Sequence, residues 1–352
     1  MASRQIVSDI WTAGATSPLF SDQDTRSVGK PLLTSTEECQ SYAKIPPQAL
    51  AQPFREFLTL CSNPAHPVGL PDVRKVNSAT VDIVMQRARS WDFGLPSHVT
   101  HKYLTLGLKI ACTAYCHVAS TPDIQADIAT YSALCVMFDD AVMGIPSMRG
   151  FTERFCAGKP QLHPCLDRLA EIIRDVGKHF PPFGANAIVI STLDFINAEL
   201  LLKDAAEMNL VPGSSNYIKY MRTKDGIDEA YAAFMYPSAT FPNSLAYIQA
   251  FPEIMECLHL INDILSHYKE MKAEDETTYV ICHAKIHRKN NVEAVEDLVK
   301  HVGALMDRVR EILGDGEALD AFYSVIAGFA QYHLNTERYQ LRDIIPEYFP
   351  EV

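Results

Sequence analysis

Three observations predict an all-α fold for this chain of 352 residues. From about residue 46 onward, apolar residues recur at three- and four-residue spacing, the period of a helix that buries one face. No segment alternates apolar and polar residues beside a hairpin turn, and no glycine-rich strand-to-helix turn is present, which excludes P-loop and Rossmann arrangements. Clusters of proline, glycine and asparagine fall between the periodic segments. Residues 46–352 therefore read as one domain, a bundle of roughly ten or more helices around a central cavity. With 47% hydrophobic residues the chain can bury a core of that size.

The elements follow in order. Residues 1–45 mix Ser, Thr, Asp, Gly and Pro with little periodicity and read as a partly ordered N-terminal arm. Helical periodicity then runs through 51–61, 73–91, 98–117, 124–142, 164–179, 185–206, 217–236, 243–271, 291–313 and 316–337. The breaks are Asn63-Pro64, Leu95-Pro96, Thr121-Pro122-Asp123, Phe180-Pro181-Pro182, Val211-Pro212-Gly213 and Gly314-Asp315-Gly316. No internal repeat of fixed period is found.

Composition removes several function classes. A net charge of −12, without a basic stripe interleaved with aromatics, disfavours nucleic acid as a partner. Mean hydropathy is −0.04 and no run of eighteen apolar residues occurs, so no membrane span is expected. The N-terminus lacks a basic start followed by an apolar core, so no secretory signal is expected. Nine scattered cysteines, an odd number lying mostly in apolar runs, suit reduced core thiols in a cytoplasmic protein. Cys112 and Cys116 sit one turn apart and His163 lies near Cys165, but neither group has a second half at zinc-ligand spacing. An acidic protein that binds an anion needs local remedies, namely metal ions and a few placed arginines.

The chemistry-bearing residues come in four groups. Asn262, Ser266 and Glu270 stand at i, i+4 and i+8 in an otherwise apolar segment (Ile254, Met255, Leu258, Leu260, Ile261, Leu265), so they share one helix face. An amide oxygen, a hydroxyl and a carboxylate are hard donors suited to Mg²⁺. Eight residues of helix span about 12 Å, and the long Glu270 can lean back toward its two shorter neighbours. Asp139 and Asp140 end the run at Met137-Phe138, where acids oppose the helix dipole and so gain nothing for stability. Adjacent positions diverge by about 100°, so only one of the two can face a metal while the other meets a cation or solvent. In Arg222-Thr223-Lys224-Asp225-Gly226, Asp225 can fix the Arg222 guanidinium at i, i+3, and Gly226 can relax or break the helix. Arg338-Tyr339 follows His333-Leu334, and a guanidinium fork suits a phosphate.

Together these groups resemble a class I terpenoid cyclase. The run Asn262-Asp263-x-x-Ser266-x-x-Lys269-Glu270, the tail His333-Leu334-x-x-x-Arg338-Tyr339-x-Leu341, and Tyr115-x-His117 followed by Pro122-Asp123-Ile124-Gln125 narrow this to the trichodiene synthase group of sesquiterpene cyclases. The resemblance covers about residues 100–345 and implies a single class I terpene cyclase domain over 46–352. It implies a cluster of three Mg²⁺ ions, with Asp139 as ligand on one side and Asn262, Ser266 and Glu270 holding the third ion opposite. Arg222, Lys269, Arg338 and Tyr339 would hydrogen-bond the diphosphate, and Asp140 would pair with Arg338 once the site closes. Arg222, Asp225 and Gly226 would report the anion's arrival to the backbone. One departure is visible. Many relatives carry a third acid shortly after the aspartate pair, and Ala141-Val142-Met143-Gly144 supplies none.

The implied reaction is ionisation of farnesyl diphosphate and cyclisation of the carbocation in a dry cavity. Tyr115, Tyr131, Phe138, Phe234, Tyr236 and Tyr339 are candidates for the aromatic wall, where a ring face can stabilise a desolvated cation by about 2 kcal/mol. The rival is a prenyltransferase of the same fold, but such enzymes usually carry a second Asp-rich motif where this chain has Asn262, Ser266 and Glu270. Relatives are often dimers, so a homodimer is an expectation that no exposed stripe in the sequence supports by itself.

Overall fold

The computed structural model describes residues 46–69, 76–204, 215–275 and 277–349. Among these residues there are fourteen α-helices and no strand, as the periodicity predicts. The arm expected at 1–45 lies outside them. In chain order the first seven helices are α1 (Ala51–Cys61), α2 (Ser78–Ala88), α3 (Ser97–Thr113), α4 (Pro122–Asp139), α5 (Ile145–Arg149), α6 (Phe151–Cys156) and α7 (Pro164–Asp175). They are followed by α8 (Pro182–Asp204), α9 (Ser215–Asp225), α10 (Asp228–Phe234), α11 (Phe251–Lys272), α12 (Tyr279–His287), α13 (Asn291–Leu313) and α14 (Glu317–Leu334).

Seven of them close a ring. Helix α14 packs on α3, α3 on α4, α4 on α7, α7 on α8, α8 on α10, α10 on α11, and α11 on α14. Outside it, α2 covers α4, α13 covers α11, α9 lies on α8, and α1 lies on α13 and α14. Helix α4 is apolar around its whole circumference and almost entirely buried, as a helix covered on every side must be. Asn77 caps α2, and Asn290 with Glu293 forms a reciprocal capping box on α13.

Two glycines set how closely the ring closes on one side. A Cβ at Gly107 would lie 2.0 Å from the Ala129 carbonyl oxygen of α4, and one at Gly328 would lie 2.1 Å from the Thr113 carbonyl oxygen of α3. Backbone therefore meets backbone at both contacts. Gln125, fully buried on α4, ties the same region. Its amide donates to the Ala111 and Tyr115 carbonyls, both at 3.0 Å, and accepts from Thr80 Oγ1 at 2.6 Å. Both carbonyls also accept a backbone N–H, so Gln125 adds a second bond to each and ties α4 to the end of α3 and the turn after it.

The structure differs from the sequence reading in several places. The segment 124–142 leaves the helix after Asp139, and Ala141 adopts φ 51°. The segment 217–236 breaks at Gly226-Ile227 into α9 and α10, with Ile227 at φ 55°. The segment 243–271 starts as two short 3₁₀ turns, Ser244–Ala246 and Ile248–Ala250, and becomes α-helical only at Phe251, because Pro252 is tolerated in a first turn and not further in. Helices α5, α6 and α12 were not expected; each is too short to show a period. Among the described residues α8 alone is long and apolar enough to cross a membrane, yet half of its apolar window is buried in the bundle. It is a core helix of the ring.

Replacing Gly328 by Val should cost about 1–3 kcal/mol through overpacking, seen as a lower denaturation midpoint. Gly177→Ala, where nothing lies within 4 Å, should change it little.

Candidate active site

Helix α11 carries two polar stripes on an apolar body. The first is Asn262, Ser266 and Glu270. The Ser266 hydroxyl donates to Glu270 Oε1 at 2.5 Å, so the glutamate leans back along the helix onto the serine. Burial pushes the Glu270 carboxyl up to about 6. Asn262 meets His333 Nε2 at 3.3 Å, while His333 Nδ1 lies 2.8 Å from the Phe329 carbonyl. A carbonyl can only accept, so Nδ1 carries the proton. Burial holds the His333 pKa down to about 3, leaving the ring neutral and Nε2 a bare acceptor. Asn262 Oδ1 is set at that nitrogen, where two acceptors cannot bond; exchanging the amide's oxygen and nitrogen would let Nδ2 donate to His333 and turn the oxygen to the other side.

The opposite wall is the end of α4. Asp139 and Asp140 remain solvent-accessible at its C-terminus. Crowding by the protein, then the Asp140 charge, raises the Asp139 carboxyl, while Lys203, Arg338 and Lys269 lower it. Asp140 accepts from Tyr103 Oη at 2.7 Å. From α8, Lys203 Nζ reaches the Asp139 carbonyl at 3.3 Å and Glu199 Oε2 at 2.7 Å, setting a cation where the α4 dipole is negative. Burial and then Asp139 push Glu199 up to about 7.

A cationic corner stands between the walls. Lys269 Nζ lies 5.8 Å from the Tyr339 ring centre and the Arg338 guanidinium 6.0 Å. The Lys269 pKa is lowered by burial and then by Arg338. Two cations crowded around one aromatic ring, with two aspartates in electrostatic reach, make a place for an anion.

Arg222 lies beside α11's second polar stripe. Its Nε donates to both Asp263 oxygens at 3.1 Å, Nη1 to Asp225 at 3.1 Å and Nη2 to the His259 carbonyl at 3.5 Å, while Nη2 also lies 3.0 Å from Asp263 Oδ1 as an ion pair. Burial works against the guanidinium charge, and Asp263, Asp228 and Asp225 outweigh it. Asp225 is itself pushed up to about 6 by burial. A Cβ on Gly226 would lie 2.4 Å from Asp228 Oδ2 and 2.7 Å from Arg222 Nη1, so any side chain there would displace the ends of both.

The aromatic candidates separate into groups. Tyr115, Tyr131 and Phe234 form one cluster with edge contacts at 5.0–6.2 Å. Phe138 packs on Phe195, and Tyr236 stacks on Tyr247 in a different part of the core. Tyr231, which the sequence reading omitted, joins the first cluster, keeps partial exposure and bonds Ser132 through its hydroxyl at 3.2 Å. The reading also omitted Tyr103, Glu199, Lys203, Asp263 and the orienting part of His333. For Asp263 a signal existed, since His259, Asp263 and His267 stand at i, i+4 and i+8 on the apolar helix.

Among the described residues no three His, Cys, Asp or Glu side chains converge on one point. The donors are instead an amide, a hydroxyl and carboxylates on two facing walls, a set of oxygens that fits Mg²⁺ completed by oxygens of a bound anion. His333→Phe should lower the affinity for Mn²⁺ plus inorganic diphosphate by about 10–100-fold, measured by calorimetry, with helical circular dichroism unchanged.

Residues 98–348 match the family model described as Trichodiene synthase (TRI5). Monoterpene synthase 25 of Postia placenta is 31% identical over 273 residues, 77% of this chain and 80% of its own. Terpene synthase 29 of the same fungus is 32% identical over 245 residues, 69% and 72% of the two chains. Trichodiene synthase of Fusarium boothii is 24% identical over 242 residues, 67% and 64%. The family match begins within α3 and runs past Tyr339, so it takes in every wall of the site; the chain belongs to the trichodiene synthase family and is a terpene synthase.

Proposed function

We propose that this terpene synthase ionises farnesyl diphosphate with Mg²⁺ and cyclises the carbocation to a sesquiterpene, releasing diphosphate. The observation that carries the reading is the first stripe of α11. Glu270 leans onto Ser266 one turn from Asn262, so an amide, a hydroxyl and a carboxylate line one helix face, which supports reading them as one ligand set with Asp139 on the other side. When bound, Mg²⁺ would neutralise charge developing on the leaving diphosphate. Lys269, Arg338 and the Tyr339 hydroxyl would hydrogen-bond the same oxygens, already placed and needing little reorganisation. Tyr115, Tyr131, Tyr231 and Phe234 would give the cation an aromatic, water-poor wall. A prenyltransferase would be expected to carry a second Asp-rich motif in place of Asn262, Ser266 and Glu270.

One observation favours a second reading of chain length. The relative named Monoterpene synthase 25 is 31% identical over most of both chains, which makes geranyl diphosphate the competing substrate.

Purified protein incubated with Mg²⁺ and geranyl, farnesyl or geranylgeranyl diphosphate should release a volatile hydrocarbon or alcohol from the farnesyl substrate, detected by gas chromatography. Product from the geranyl substrate alone would favour the second reading, and no product from any of the three would sink both. Asn262→Ala and Glu270→Ala should each cut turnover by about a hundredfold or more while the helical signal persists.

Metal binding should also depend on pH. Between the ordinary value of 4.5 and about 6, the folded protein holds a proton on Glu270 that the unfolded chain has released, so this group's stabilisation falls as pH rises through that window. A bound dication favours the ionised form instead. Mg²⁺ with inorganic diphosphate should therefore raise Tm more at pH 7.5 than at pH 5.5; equal shifts would remove Glu270 from the ligand set.

A further inference from the structure

Arg222 is already committed in this structure. All three guanidinium nitrogens are held by protein acceptors, and the most extensive contact is with Asp263, through Nε and Nη2. The pair is nearly enclosed, with side-chain exposures of 16% and 10%. Reaching a diphosphate requires the guanidinium to leave Asp263. A buried carboxylate stripped of its partner is strongly unfavourable, so something else must neutralise it.

The position of Asp263 shows what can. It follows Asn262 directly and precedes Ser266 by three residues, within about one helical turn (~5 Å) of both. Its charge reaches the metal-facing stripe, being among the influences that raise Glu270. The other groups around Arg222 cannot take over. Asp225 and Asp228 are acids, and His259 is already engaged by Asp228 at 3.1 Å.

We propose that Asp263 exchanges counter-ions: Arg222 neutralises it in the open protein, and the metal ion on Asn262, Ser266 and Glu270 neutralises it once a diphosphate draws Arg222 away. Asp263 is then a positioning residue that couples the two events. Metal at the stripe favours release of Arg222, and release of Arg222 tightens the metal, by the same factor. The helix carries the coupling without any change of shape, because both charges act on neighbouring residues of one turn. The inference rests on Arg222 as a diphosphate ligand and on the stripe as a metal site.

A metal titration without substrate tests it. Mn²⁺ affinity, read from the free-ion electron paramagnetic resonance signal, should rise roughly tenfold in Arg222→Gln, because Asp263 is left unneutralised before the metal arrives. Adding Asp263→Asn to that variant should return the affinity to the wild-type value. The single variant Asp263→Asn frees Arg222, so inorganic diphosphate should bind more tightly without metal, and its enhancement by Mn²⁺ should shrink roughly tenfold. Asp263→Glu, which keeps the charge, should restore the enhancement. Unchanged affinity in Arg222→Gln, an equally tight double variant, or full enhancement in Asp263→Asn would each overturn the exchange. Wild-type protein that binds neither Mn²⁺ nor diphosphate, alone or together, would overturn the proposed function instead.

Discussion

A helix buried on all sides can carry charge only where a fixed partner waits, and α11 carries two rows of polar groups. Asn262, Ser266 and Glu270 form one, while His259 and Asp263, about 100° around the axis, form the other and face α9 and α10. Much of the site is arranged to satisfy these rows. The α9–α10 break brings Arg222 and Asp228 to the second row, and α14 brings His333 to Asn262. Under the proposed function, sensing an anion and holding a metal would fall to one helix.

The charge balance of the site is unfinished in a consistent direction. Asp139, Glu199, Asp225 and Glu270 all sit above their ordinary range, and burial is the largest cause for each. Lys269 is held below its own by burial and by Arg338. Acids crowded with acids and cations crowded with cations both represent stored repulsion, which a dication bound together with a polyanion relieves at once.

The fold was legible because each helix announces itself within its own residues. The shared face of Asn262, Ser266 and Glu270 was legible for the same reason, since all three lie on one regular helix. Contacts between helices were not. Asp140 finds Tyr103, Asn262 finds His333 and Arg222 finds Asp263 across sequence separations of 37, 71 and 41 residues. No local period encodes those. The missing third acid after Asp140 was visible in sequence, but Glu199, which shares Lys203 with the Asp139 carbonyl, comes from α8 and could be placed only by the packing of α8 near α4. Helix ends were read too long wherever a single residue decides, as at Ala141, Gly226 and Pro252.

The two glycine contacts have a mechanical consequence. With α3 pressed against α4 at Gly107 and against α14 at Gly328, that arc of the ring has no side-chain cushion through which to slide. Compliance is left to the far arc, where α8, α10 and α11 meet through side chains and the chain is broken at Gly226-Ile227. Any change in the spacing of the ring is therefore easier on that side, between α10 and its neighbours, than where α3 meets α4 and α14 backbone to backbone.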